Sequence, residues 1–146
     1  MSNSFEHILP PSWKAQVTAW LAEDTPSFDY GGYVVGEVYR EAFLFGKGRD
    51  IVVLAGSPFA TEIFTQLGCE YVLQFGLVYK SHHHRVEWHV QEGDVFQPVK
   101  HIATVRGKAR YLLLGERIAL NLLARCSGIA TRYRSLTYMR LVSSYL

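Results

Sequence analysis

The sequence predicts an α+β domain: a small antiparallel or mixed sheet with packed helices, ending in a long amphipathic helix. Three observations carry this. Helical and strand-like patterns are mixed without the regular strand–helix–strand alternation of a doubly wound sheet. Hydrophobic residues make up 49% and charged residues 19% of the 146, which suits one domain with one core and not a disordered chain. The run from Tyr111 to Ala130, YLLLGERIALNLLARCSGIA, places Leu112, Ala119, Leu122, Leu123, Cys126 and Ala130 on one side at helical spacing, with Arg117 and Asn121 on the other.

The elements follow in order. Pro10 and Pro11 stop any earlier helix, so the first runs from about Trp13 to Ala22, with Ser12 as N-cap and Trp13, Val17, Trp20 and Leu21 as its apolar stripe. The aromatic, glycine-rich stretch Phe28 to Val35 holds a turn at Gly31-Gly32. Ala42 to Phe45 and Ile51 to Ala55 read as strands joined by a hairpin-like loop. A second helix is capped by Ser57, carries Pro58 in its first turn and is closed by Gly68, with Phe59, Ile63, Phe64 and Leu67 facing the core. Val86, Trp88 and Val90 alternate with Glu87 and His89, as in a half-buried strand. Glu92-Gly93-Asp94 forms a turn, and Ile102 to Arg106 is a strand broken by Gly107.

Charge is distributed unevenly. Residues 1–100 hold 7 Lys and Arg against 12 Asp and Glu, whereas residues 101–146 hold 8 basic residues against the single acid Glu116. A basic final third suits an anionic ligand or partner; a solvated helix face is the plainer alternative. The two cysteines, Cys69 and Cys126, make no disulfide framework, so a reducing compartment is expected. MSNSFEHILPPSW has no secretory pattern, and no stretch reaches a membrane span's ~18 apolar residues. A soluble protein of the cytoplasm is expected, with the nucleus as a further location, and with neither membrane nor nucleic acid as partner.

Arg117 is the leading site candidate. A guanidinium on the polar face of an anchored helix is a permanently charged fork that fits a carboxylate or phosphate. Glu116 need not neutralise it, since adjacent helical residues do not face each other. A surface or intersubunit salt bridge is the bland alternative. Arg106 and Lys108 flank the turn at Gly107 and could meet an anion near a helix start, although solvated turns are commoner. Arg110 and Arg125 read as interface or solvent residues. His82, His83 and His84, with His89 beyond, could ligate metal, but adjacent strand residues alternate faces and no fourth ligand is evident. No metal site is therefore assigned. Asp24 and Asp29 read as capping acids. Phosphate-loop, dinucleotide-binding and nucleophile-elbow motifs are absent from the sequence.

Several segments, in order, resemble the N-terminal part of the quinolinate phosphoribosyltransferase family. They are EHILPPSWKAQVTAWLAEDTPSFDYGGYVVG, LAGSPFATEIFTQLGCE, VEWHVQEGD and ATVRGKARYLLLGERIALNLLARCSGIAT. The resemblance covers roughly residues 5–71 and 86–131, and LLLGERIALNLLARCSGIAT is its most specific piece. It implies transfer of a phosphoribosyl group from phosphoribosyl pyrophosphate to quinolinate, with loss of carbon dioxide and pyrophosphate. The product is nicotinate mononucleotide, on the de novo route to NAD. Magnesium would accompany the donor, with no cofactor bound by this chain itself. The resemblance also implies a homo-oligomer, a dimer or a hexamer built of dimers, in which this domain closes over the α/β barrel of another subunit. Gly115-Glu116-Arg117 stands where the family's arginine reaches across to a quinolinate carboxylate.

Two departures accompany the resemblance. Residues 71–85, YVLQFGLVYKSHHHR, interrupt it, and residues 132–146, RYRSLTYMRLVSSYL, match nothing in the family. No G-T-R-K-T barrel motif follows. The expected organisation is thus a domain over 1–131 with an insertion at about 71–85 and an unmatched tail over 132–146. The C-terminal barrel is expected to be absent, as from a retained intron or an aberrant reading frame, and the chain to be inactive alone. The alternative is a non-catalytic module that associates with full-length subunits.

Overall fold

The computed structural model describes residues 5–48, 50–69 and 86–143, with side chains through 136. The insertion expected at about 71–85, with His82, His83 and His84, lies outside the described residues. A 3₁₀ turn (Phe5–Ile8) precedes α1 (Trp13–Asp24), α2 (Tyr30–Val35), β1 (Tyr39–Gly46), β2 (Val52–Val53) and α3 (Ser57–Gln66). Then come β3 (Val86–Trp88), β4 (Val95–Phe96), β5 (Lys100–Lys108) and α4 (Ala109–Ser143). This is the α+β arrangement that the sequence predicts.

β5 is the centre of a three-stranded antiparallel sheet of order β1-β5-β3, and β2 pairs with β4 separately. Period-two alternation divides the larger sheet up to a register shift between Leu44 and Phe45. Ala42 pairs with Val105 and Leu44 with Ala103, and Val86 and Trp88 join the same face from β3. These residues meet Ile63, Phe64, Leu112, Ala119 and Leu123 from α3 and α4 in one core. The opposite face carries Glu41, Phe43, Arg106, Thr104 and Glu87, as the register requires. α1 docks on α3 through Trp13 and Trp20, whose rings meet Phe59 at 5.5 and 6.2 Å.

The structure corrects several local expectations. The expected hairpin does not form, because β1 takes β5 and β2 takes β4 as partners. The eight-residue β1 finds a longer complement in β5 than in the short strand after the loop. The Gly31-Gly32 turn is instead inside α2, started by Asp29, whose Oδ1 accepts the Gly32 N–H at 2.8 Å. Ser12 makes no side-chain cap bond. The Pro10-Pro11 turn feeds α1 by backbone bonds, Trp13 N–H to the Pro10 carbonyl at 2.9 Å.

Gly107 does not break β5; the strand passes through it to Lys108. A Cβ at this position would lie 2.8 Å from Cys69 Sγ, so glycine lets the chain after α3 approach the sheet. α4 is longer than the expected Tyr111–Ala130 helix, with 35 residues spanning ~52 Å at 1.5 Å per residue. It runs through Thr131 without a break. Its polar positions anchor it to β2 and the residues that follow: Ser127 Oγ accepts the Ala55 N–H at 3.0 Å and donates to the Ala55 carbonyl at 3.1 Å. Thr131 Oγ1 accepts the Val53 N–H at 3.0 Å.

Candidate functional site

The site candidate is built on α4. Leu112, Ile118, Ala119 and Leu123 are buried, with Leu122, Cys126 and Ala130 half-buried beside them. Arg117 and Asn121 are exposed, on the polar side that the periodicity predicts. Gly115 sets how close α4 sits to α3. A Cβ there would stand 2.6 Å from the Phe64 ring and 3.0 Å from Leu67, so only glycine allows this packing. The backbone of the Gly115-Glu116-Arg117 turn is therefore pinned by the core one residue before Glu116 turns outward.

Adjacent residues diverge as helix geometry demands. Glu116 borders an apolar groove of about 380 Å³ lined by Val35, Phe43, Phe45, Leu113 and Leu120. Arg117 points toward the end of α1, where its Nη2 donates to Asp24 Oδ1. Asp24 is thus not a helix cap; it is the ion-pair partner of Arg117. The two side chains differ in exposure, 68% for Arg117 and 20% for Asp24.

The other basic candidates have internal partners. Arg106 bridges the sheet's outer face, donating from Nε to Glu41 at 2.6 Å and from Nη1 to Glu87 at 2.7 Å. The hydrogen bond to Glu87, followed by that to Glu41, raises the Arg106 pKa, and the Glu87 carboxyl is held below its ordinary value chiefly by the same bond. Lys108 and Arg110 share Glu37. The Lys108 hydrogen bond is the main reason that the Glu37 carboxyl lies below its ordinary value, and it raises Lys108 in turn. Arg106, Lys108 and Arg110 are therefore bound to this chain's own acids, whereas Arg125 is exposed on α4.

His89 belongs to a small network on the outer sheet face. Its Nε2 lies 3.0 Å from Thr104 Oγ1, and its ring centroid lies 4.5 Å from that of His101. Phe43 and Phe45 pack on His101 at 5.4 and 5.3 Å. Among the described residues, no group of three or more His, Cys, Asp or Glu could hold a metal ion. No helix among the described residues is long and apolar enough to cross a membrane.

Sequence reasoning missed Glu92. Its carboxylate accepts the N–H groups of Gly56 at 2.7 Å and Ser57 at 2.8 Å, and the Ser57 hydroxyl at 2.5 Å. Glu92, not Ser57, is the cap of α3; Gly56 holds the cap position at φ 97° and Ser57 lies inside the helix. A glutamate in a Glu-Gly-Asp turn carries no local sign of a helix start 35 residues away.

The architecture is an α+β domain: an antiparallel sheet with helices on one face and an arginine carried outward on the longest helix. Residues 33–127 match the model of the quinolinate phosphoribosyl transferase N-terminal domain. The chain belongs to that family. It is 43% identical over 127 residues to the nicotinate-nucleotide pyrophosphorylase [carboxylating] of Rattus norvegicus, covering 86% of this chain and 37% of the rat protein. The protein of the same name from Homo sapiens is 45% identical over 125 residues, covering 85% of this chain and 36% of its own length. The nicotinate-nucleotide pyrophosphorylase of Francisella tularensis shares the fold, with a TM-score of 0.62 at 22% identity over 83% of this chain and 39% of that one. The chain thus spans a little over a third of the length of these relatives.

Proposed function

We propose that this chain is the substrate-closing domain of an enzyme that transfers the phosphoribosyl group of phosphoribosyl pyrophosphate to quinolinate, releasing pyrophosphate and carbon dioxide and forming nicotinate mononucleotide. The observation that carries the reading is Arg117, exposed on the polar face of a helix whose other face is locked in the core. Quinolinate is a dianion, and a guanidinium can hold one planar carboxylate through two parallel hydrogen bonds. Holding the ring by a carboxylate orients its nitrogen toward the donor sugar, which turns a bimolecular encounter into a positioned one. Arg117 binds and orients; it moves no proton.

The relatives' greater length is where the remaining contacts belong. In this reading a C-terminal α/β barrel of another subunit holds the donor, Arg117 reaches it across the interface of a homo-oligomer, and the 146-residue chain has no turnover by itself. Residues 1–131 form the domain, with an insertion at about 71–85, and 132–146 are an unmatched tail whose described part, to Ser143, continues the last helix. Magnesium would enter with the donor's phosphates. The described residues of this chain offer no metal-binding cluster, so no step is assigned to a metal here. The setting is cytoplasmic, with the nucleus as a further location, and without a nucleic-acid partner.

A titration with quinolinate of the chain assembled with a full-length homologue that supplies the barrel, followed through the Arg117 side-chain NMR signal, tests the reading. A shift lost in Arg117→Ala supports it; an unchanged Arg117 signal at saturating quinolinate refutes it.

One observation favours a second reading. Phe43, Phe45, Leu113 and Leu120 are each about half exposed along one groove, which suits association with a full-length subunit as a non-catalytic module. A pull-down against a full-length homologue separates the two roles: no association removes this second reading.

A further inference from the structure

Asp24 sits where helix physics does not ask for an acid. It is the last residue of α1, where the Thr25 N–H has already closed the final turn on the Leu21 carbonyl. The partial negative charge of a helix C-terminus disfavours a carboxylate there. Its partner accounts for it: Asp24 Oδ1 accepts from Arg117 Nη2, and this is the one side-chain hydrogen bond of Arg117 among the described residues. The asymmetry of burial gives the contact a direction. The Asp24 side chain is 20% exposed and set against the domain, while that of Arg117 is 68% exposed and would otherwise sample many rotamers.

The geometry of the guanidinium adds the second half. A guanidinium has two forks, Nε with Nη2 and Nη1 with Nη2. They share Nη2, which supplies one N–H to each. A single bond from Nη2 to Asp24 therefore leaves one complete fork open. We propose that Asp24 is a positioning residue for Arg117, holding the guanidinium outward with one fork free, so that a ligand carboxylate docks on that fork while Asp24 stays in place. This rests on the reading of Arg117 as a carboxylate-binding residue, and it adds that the fork is preorganised by a residue 93 positions away.

The rival geometries predict different signs. If Asp24 were a competitor that the ligand must displace, removing it would tighten binding. If it were only a staple between α1 and α4, removing it would leave binding unchanged. As a positioning residue, its removal weakens binding, because the ligand must then restrict the arginine's rotamers itself. An asparagine in its place would still offer a side-chain oxygen as acceptor and restore the orientation.

The test compares wild type, Asp24→Ala and Asp24→Asn by NMR of the Arg117 Nε–Hε group, first in the 146-residue chain without ligand and then, with quinolinate as probe, in that chain assembled with a full-length homologue that supplies the barrel. Asp24→Ala is expected to increase the fast motion of that group without ligand and to weaken quinolinate binding about fivefold, the scale of freezing one rotamer-rich side chain. Asp24→Asn is expected to restore both. Equal Arg117 mobility in wild type and Asp24→Ala overturns the proposal whether or not quinolinate binds. Unchanged or tighter binding in Asp24→Ala overturns it as well. A wild-type chain with an ordered Arg117 and no quinolinate response instead overturns the substrate reading alone.

Discussion

Glu92 closes the N-terminus of α3 through Ser57: one carboxylate oxygen accepts both the backbone N–H at 2.8 Å and the hydroxyl at 2.5 Å. The other oxygen takes the Gly56 N–H at 2.7 Å. Three donors at the start of a helix thus depend on a side chain from the turn before β4. Glu92→Ala leaves those part-buried donors without their acceptor, and is expected to cost about 2–3 kcal/mol. Urea denaturation checks this. A loss under about 0.5 kcal/mol would mean that water replaces the cap.

Gly115 is a packing requirement. Gly115→Ala would place a methyl 2.6 Å from the Phe64 ring, and α3 and α4 would have to separate. Overpacking of this kind costs about 1–3 kcal/mol, more than the gain from alanine's helix propensity, which is at most about 1 kcal/mol. A lowered thermal midpoint is expected. A raised midpoint would show that Phe64 yields easily.

The outer-face ion pairs fix the direction of the acid response. Glu37 and Glu87 both have carboxyl pKa values below their ordinary ones, held there chiefly by hydrogen bonds from Lys108 and Arg106. Their stabilisation is therefore complete above the unfolded-state carboxylate range and is lost as pH falls through the lower folded values. Thermal midpoints of wild type should fall more steeply below about pH 4.5 than those of Glu37→Gln/Glu87→Gln. Parallel curves would show that these exposed pairs add nothing measurable.

Arg117→Ala should leave the fold intact, since the exposed pair with Asp24 contributes about 0–1 kcal/mol. Denaturation and the quinolinate titration are read together. Lost response with an unchanged midpoint places Arg117 in binding, whereas a stability loss above about 2 kcal/mol would make it a structural residue.

Cys126 is expected to react slowly with thiol reagents. Burial, and after it the nearby Glu92 carboxylate, raises its pKa above the ordinary thiol value. The midpoint of the alkylation rate against pH should therefore lie above about pH 8.5, the midpoint of a free cysteine. A midpoint at the free-thiol position would contradict that environment.

Much of this was readable from residues alone. The 3.6-residue period placed Leu112, Ala119 and Leu123 inward and Arg117 outward, and strand alternation placed Val86 inward and Glu87 outward. Asp29 and Gly68 did what local turn chemistry predicts, capping α2 and closing α3 at φ 75°. Four of the failures share a cause. The hairpin, the Gly107 break, the Ser57 cap and the capping role of Asp24 were all decided by partners far along the chain: β5, Cys69, Glu92 and Arg117.

Sequence by itself determined the fold class, the family and the side of α4 that faces outward, because periodicity and motif order are local properties of the chain. The tertiary structure alone decided which acid each arginine meets. Arg106 goes to Glu41 and Glu87, Arg110 to Glu37 and Arg117 to Asp24, although the sequence names no partner for any of them. Pairing depends on distances between elements, and those are set by core packing: by how closely Gly115 lets α4 approach α3, and by which strand β1 accepts as its neighbour.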